Sequence, residues 1–303
     1  MLGKAGGFLR GEFWAFAAAS HNYKSGILMA IARWCATLSH FKVEPGTIPA
    51  VVLISLENEV PENTMNMIRE AYVDAFKKEP PPGTTDDEMI DLVVAYYQKN
   101  GVKLMLYKFD EDFGYSDFVN LQTKLKNCNY TVIATIIDYI TLMRIDDNGR
   151  DNPAKMLQKL AQKLYNFAHR NDQLIVTGLQ LDTEAEKIIA SGQTNIVKRF
   201  GAAHLGDCKG LKRELDGLIF MHIEHNMENV PYLTFCWNKH RNETQPPKSD
   251  QYCAYRYCGK ILGLMDDIYL PGDETRAKND IYADDEDSET TENVEDPFAA
   301  TGS

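Results

Sequence analysis

No apolar run in this 303-residue chain approaches the roughly 20 residues that a membrane-spanning helix needs. The longest candidate, Thr131 to Met143, is broken by Asp138. The N-terminal stretch MLGKAGGFLRGEF lacks the apolar centre of a signal peptide, so no membrane role and a cytoplasmic location are expected. Six cysteines are too few for a disulfide scaffold and fit reduced thiols. Cys253 and Cys258 are followed by no second Cys or His pair, which argues against zinc. They are expected to pack in a final strand with Tyr255 and Tyr257. Proline (12) and glycine (20) are too sparse for a collagen-like or other fibrous chain, and no internal repeat is present.

An excess of basic charge is also missing: 32 Lys and Arg face 44 Asp and Glu, for a net charge of −12. From Asp273 onward, however, 11 residues are acidic and 2 basic, leaving 33 acidic and 30 basic in residues 1–272. The body is nearly neutral, and nucleic acid is not excluded provided that a local basic surface exists. The segment 273–303 contains the cluster DDEDSE and few large apolar residues. It cannot bury enough surface to offset its ordering entropy and reads as a disordered acidic tail.

What is present is an alternation of strand and helix patterns. Strands are expected over Phe13–Ala19, Ala50–Leu56, Val102–Phe109, Thr131–Ile137, Gln173–Leu179, Gly217–Ile223 and Tyr232–Trp237. Helical spacing covers Ser25–Leu38, Glu62–Lys77, Asp86–Lys99, Ser116–Lys126 and Ala154–Ala168, with Pro61 suited to a helix start. Strands separated by helix-length segments imply parallel pairing. The expected fold is an α/β domain over residues 1–272, a mostly parallel central sheet with helices on both faces.

Ligands of such sheets bind beyond the carboxyl ends of the strands. The first strand runs into Ser20-His21-Asn22-Tyr23-Lys24-Ser25 and then a helix. The Lys-Ser pair at a helix start fits the end of a phosphate-binding loop, although Ala18 and Tyr23 stand where that loop has glycines. His21 could touch nucleotide or make a loop-stabilising hydrogen bond. Glu57, just past the second strand, is placed to orient a water near a γ-phosphate. Asp138 follows an apolar strand, the Walker B arrangement that supports Mg²⁺ directly or through water. Gln180 ends the fifth strand and could sense phosphate or cap the next segment. Lys239 and Arg241, at alternate positions past a strand, could reach a phosphate of their own subunit or of a neighbour. Lys198, Arg199, Lys209, Lys212 and Arg213 offer phosphate contacts without base readout, or a solvated basic face.

The order of these signals resembles the motor domain of the DnaB-like replicative helicases, a RecA-like P-loop ATPase, over about residues 6–262. The matching residues are Lys24-Ser25, Ser55-Leu56-Glu57, Ile137-Asp138-Tyr139 with Leu142-Met143, Gln180-Leu181, Asp207-Cys208-Lys209-Gly210 through Asp216, and Lys239-His240-Arg241-Asn242. The resemblance implies ATP and Mg²⁺ at Lys24, Ser25 and Asp138, with Glu57 as the catalytic glutamate. It further implies Lys239 and Arg241 acting on the neighbouring subunit's nucleotide, and a hexameric ring on single-stranded DNA. The first strand begins about a dozen residues from Met1, leaving no room for that family's N-terminal domain and linker helix. A minimal viral relative, a fragment, or a part working with a primase or loader on another chain is therefore expected. A filament-forming recombinase and a non-hydrolysing scaffold, the latter favoured by Tyr23, remain as alternatives.

Overall fold

Every residue of the first strand, Phe13–Ala18 (β1), is buried, because both faces of the sheet are covered. Alternate side chains of FWAFAA point to opposite faces. Phe13, Ala15 and Ala17 join one core cluster, and Trp14, Phe16 and Ala18 join the other. The structure is a computed structural model that describes residues 7–37, 43–57, 60–76, 80–98, 101–110, 112–145, 152–191, 195–226, 229–241, 251–258 and 263–265. The acidic segment 273–303 and Asn242 lie outside the described residues.

Among the described residues eight further strands join the sheet: Ile48–Ser55 (β2), Lys103–Lys108 (β3), Tyr130–Asp138 (β4), Leu174–Gln180 (β5), Gly217–His225 (β6), Pro231–His240 (β7), Tyr252–Cys258 (β8) and Gly263–Met265 (β9). Their spatial order is β3-β2-β4-β5-β1-β6-β7-β8-β9. The pairs from β3 through β6 are parallel, and β7, β8 and β9 add antiparallel strands. The helices are Lys24–Thr37 (α1), Val60–Phe76 (α2), Asp86–Gln98 (α3), Tyr115–Asn127 (α4), Pro153–Arg170 (α5) and Thr183–Ala190 (α6). No helix among the described residues is long and apolar enough to cross a membrane.

Sequence pattern explains most of this. Helix α5 starts with Pro153 after Asn152, whose side chain caps the Lys155 amide at 2.8 Å. It buries Leu157, Leu160, Ala161, Leu164 and Ala168 at helical spacing. Two features depart from the sequence reading. Only residues 226–230 separate β6 from β7, too few for a crossover, so the two strands form a hairpin. Strand β7 continues through His240, so Lys239 lies within a strand rather than past it. The basic stretch after β5 is irregular, as loops following Gln180 would be. It follows α6 and comprises two 3-10 segments, Ile196–Arg199 and Ala202–Arg213, the latter interrupted at Gly206.

Candidate nucleotide site

The parallel register gathers four strand ends at one edge. Ser55 of β2 lies opposite Asp138 of β4, and Ala18 of β1 lies opposite Gln180 of β5. Strand β5 sits between β4 and β1, so Glu57, Asp138, Gln180 and the loop before α1 open onto one cleft. Backbone and side-chain bonds fix its walls. The Leu56 amide donates to the Asp138 carbonyl at 2.9 Å, and Lys108 Nζ donates to the Glu57 carbonyl at 2.9 Å. Thr177 of β5 accepts from the Ile140 amide at 3.0 Å and donates to the Ile137 carbonyl at 2.9 Å. That hydroxyl braces the turn on which Asp138 stands. Thr177 is not among the residues singled out from the sequence; its one signal there is a polar residue inside the apolar run LIVTGLQ, which gives no indication of its partner.

The loop from Ser20 to Tyr23 is held at both ends. Gln180 Nε2 donates to Ser20 Oγ at 2.8 Å, tying the β5 end to the loop. Asn22 Oδ1 accepts from the Ile223 amide of β6 at 2.9 Å, and Asn22 Nδ2 donates to the Ser20 carbonyl at 3.0 Å. His21 and Tyr23 take left-handed backbone angles, φ 60° and 59°. His21 is exposed, whereas Tyr23 is turned into the core behind the loop. The side chain that makes the loop unlike a glycine-rich one therefore occupies the core.

Lys24 lies over the Tyr139 ring, its Nζ 4.5 Å from the centroid. Its stem crosses β5 at Gly178, where an added Cβ would meet Lys24 Cγ at 3.0 Å. Burial lowers the Lys24 ammonium from its ordinary range, against the raising influence of Asp138 and Glu57. The Asp138 carboxyl is pushed up to about 6, chiefly by burial, while a hydrogen bond from Ser25 opposes that shift.

Asp138 is 2% exposed, and its Oδ1 has no hydrogen-bond partner. A buried, unsatisfied carboxylate oxygen beside a serine hydroxyl is a hard-oxygen donor set and fits Mg²⁺. No group of three or more His, Cys, Asp or Glu among the described residues could hold a metal alone. One carboxylate and one hydroxyl leave coordination positions on such an ion for phosphate and water.

A carboxyl whose folded pKa lies above its unfolded value of 3.8 destabilises the folded chain when ionised. The cost is full above about pH 6 and fades as pH falls toward 3.8. Asp138→Asn should therefore raise the thermal midpoint of the nucleotide-free protein at pH 8 by a few degrees. The underlying shift corresponds to at most about 3 kcal/mol. The gain should shrink at pH 5 and vanish near pH 4. A lower midpoint for the variant at pH 8 would contradict a strained carboxylate.

Lys239 and Arg241 do not join this cleft. His240 pairs with Gly217, which pairs with Trp14 at the amino end of β1. The two cations thus sit at the opposite edge, about 20 Å away along a six-residue strand. Arg241 donates to the Arg213 carbonyl, approaches Asp216 at 3.4 Å and stacks 4.6 Å over Tyr165. Lys239 Nζ donates to the Lys212 carbonyl, and burial together with Arg241 brings Lys239 down to about 8.

The five other candidate cations are spread rather than clustered. The 3-10 segment 202–213 runs from the cleft edge, where the His204 carbonyl accepts the Asp182 amide, to the opposite edge at Asp216. Lys209 and Arg213 are exposed along it, and Lys212 is half-buried. Arg199 is exposed near the β6 end, and Lys198 lies 4.4 Å over Tyr252.

A sheet with a phosphate-type loop after β1, an acidic strand end at β4, one strand between them and added antiparallel strands defines a RecA-like ATPase domain. The model of the divergent DnaB-like ATPase family matches residues 1–288, and the chain belongs to that family. Among solved structures, one described as an ATPase domain matches with a TM-score of 0.63 and 15% identity over 86% of each chain. A DnaB-like replicative helicase, solved to show its interactions with primase, matches with a TM-score of 0.65 and 16% identity. That match covers 86% of this chain and 58% of the helicase. At these identities the likeness is one of fold. No curated protein matches the chain.

Proposed function

We propose that this protein is a motor of the replicative DNA helicase type, hydrolysing ATP at the subunit interfaces of a hexameric ring to translocate on single-stranded DNA and unwind duplex. The observation that carries the reading is the cleft in which Lys24, Ser25, Glu57, Asp138 and Gln180 converge from four adjacent strand ends. Loop amides and the α1 N-terminus suit phosphate, and Lys24 adds a charge-assisted contact. Ser25 and Asp138 would hold Mg²⁺, which when bound neutralises phosphate charge. Glu57 is exposed at the rim, its backbone tethered by Lys108, and would orient the attacking water and take its proton.

Gln180, bonded to Ser20, would report the state of the phosphates to the segments that follow β5. These segments carry Lys198, Arg199, Lys209, Lys212 and Arg213, which would track a DNA backbone. The position of Lys239 and Arg241 at the far edge favours action on a neighbour's nucleotide, since they cannot reach their own. A primase or loader on another chain would be the natural partner, by analogy with the helicase solved for its primase contacts.

ATP hydrolysis by the purified chain, measured with and without single-stranded DNA, tests the reading. We expect turnover that DNA stimulates. Lys24→Ala should weaken ATP binding by at least about tenfold, the scale of a lost charge-assisted phosphate contact. Electron microscopy on DNA should show rings, and filaments would favour a recombinase-like role. ATP binding without hydrolysis under any condition would leave a scaffold.

A further inference from the structure

Tyr23 immediately precedes Lys24 and adopts a backbone angle that glycine reaches freely and tyrosine does not. Its ring lies against Gly26 in the first turn of α1, where any Cβ would overlap three ring carbons. Its hydroxyl donates to Glu70 Oε1 on α2. Glu70, 2% exposed, pairs through Oε2 with Arg33 of α1 at 3.3 Å, and Arg33 is also 2% exposed. Tyr257 of β8 closes the site edge-on, its ring centroid 5.1 Å away. One side chain of the phosphate loop is thus anchored to α1, α2 and β8.

We propose that Tyr23 is a positioning residue: its seat on Gly26 and its bond to Glu70 hold the phosphate loop in the left-handed turn, ready for nucleotide, and couple it to α2. The proposal rests on the nucleotide-site reading. A glycine before the lysine can enter the left-handed region and leave it with equal ease, so that residue by itself does not hold the turn. A buried tyrosine locked from three sides removes that freedom before ligand binds. The missing Cβ at residue 26 and the tyrosine at residue 23 form a matched pair, one making room for the other. Helix α2 begins three residues after Glu57, so the same anchor links the phosphate contacts to the element following the candidate base.

The test uses the full chain with MgATP affinity by calorimetry and the thermal midpoint without nucleotide. Gly26→Ala should displace the ring and raise the ATP Kd by about tenfold, as expected if the competent loop falls to a tenth of the population. Tyr23→Gly should raise Kd similarly and Tyr23→Phe, which keeps the ring, by less. The double variant Tyr23→Gly/Gly26→Ala should bind like Tyr23→Gly, because the overlap no longer exists. If Gly26→Ala does not fold, Tyr23→Gly and Tyr23→Phe still decide the matter. Kd unchanged in Tyr23→Gly, with only a lower midpoint, would reduce the residue to a structural prop and overturn the proposal. Wild-type affinity in Gly26→Ala would overturn the seat itself. A wild-type chain that binds no ATP would instead overturn the nucleotide-site reading, and this inference with it.

Discussion

Arg241→Ala should leave the chain folded and able to bind ATP, yet lower its hydrolysis by roughly 10³–10⁵-fold, the scale of an arginine supplied to a γ-phosphate. The argument is geometric. Arg241 follows β7 at the amino-end edge, and Lys24 lies beyond the carboxyl ends of the same sheet. No rotation of one side chain spans that distance, so any contact with phosphate must be with a second subunit. The side chain is pre-ordered by Asp216, the Arg213 carbonyl and the Tyr165 face, while remaining 32% exposed. Pre-ordering reduces the entropy lost when it meets a ligand.

Two comparisons separate catalysis from folding. Arg241→Lys keeps a positive charge for the buried Asp216 but loses the planar fork, so it should be stable and still impaired. Mixing Arg241→Ala with Lys24→Ala should recover part of the activity, since some interfaces then join an intact Lys24 to an intact Arg241. Co-purification must first establish that mixed oligomers form. No recovery at any ratio, with mixed oligomers present, would mean either that Arg241 does not act on a neighbour's phosphate or that hydrolysis requires every interface to be intact. Doping wild type with Arg241→Ala distinguishes these, because only the second predicts a steep loss at low mutant fraction.

Glu57→Gln should retain ATP affinity and lose turnover by roughly 10²–10⁴-fold, the typical contribution of a positioned general base. The amide keeps the shape of the side chain and cannot accept the proton of an attacking water. Its backbone bond to Lys108 does not depend on the carboxylate, so the β2 loop should keep its place. Measuring Kd and kcat separately is essential, because Lys24→Ala is expected to act on the first and Glu57→Gln on the second. Normal turnover in Glu57→Gln would move the base elsewhere along the cleft.

The strand–helix alternation, the identity of the residues at the strand ends and their order along the chain are all legible in the amino-acid order alone. Burial on both faces writes near-continuous apolar runs such as FWAFAA and AVVLIS, and these are legible without neighbours. Glu57, Asp138 and Gln180 were legible as candidates for the same reason, since each stands where such a run stops, and Lys24 because it opens the helix that follows the first run. Tertiary structure decided what depends on partners remote in sequence. Parallel register placed Ser55 level with Asp138 and Ala18 level with Gln180. The β6–β7 hairpin carried Arg241 to the far edge, because an antiparallel strand reverses which end of the sheet its last residues reach. Most of all, the sequence showed Tyr23 only as a bulky residue where a glycine was expected. Its partners, Gly26, Glu70, Arg33 and Tyr257, lie up to 234 positions away and meet only when α1, α2 and β8 pack together. The direction of a side chain is set by that packing, and here it turned an apparent obstruction of the phosphate loop into part of the core behind it.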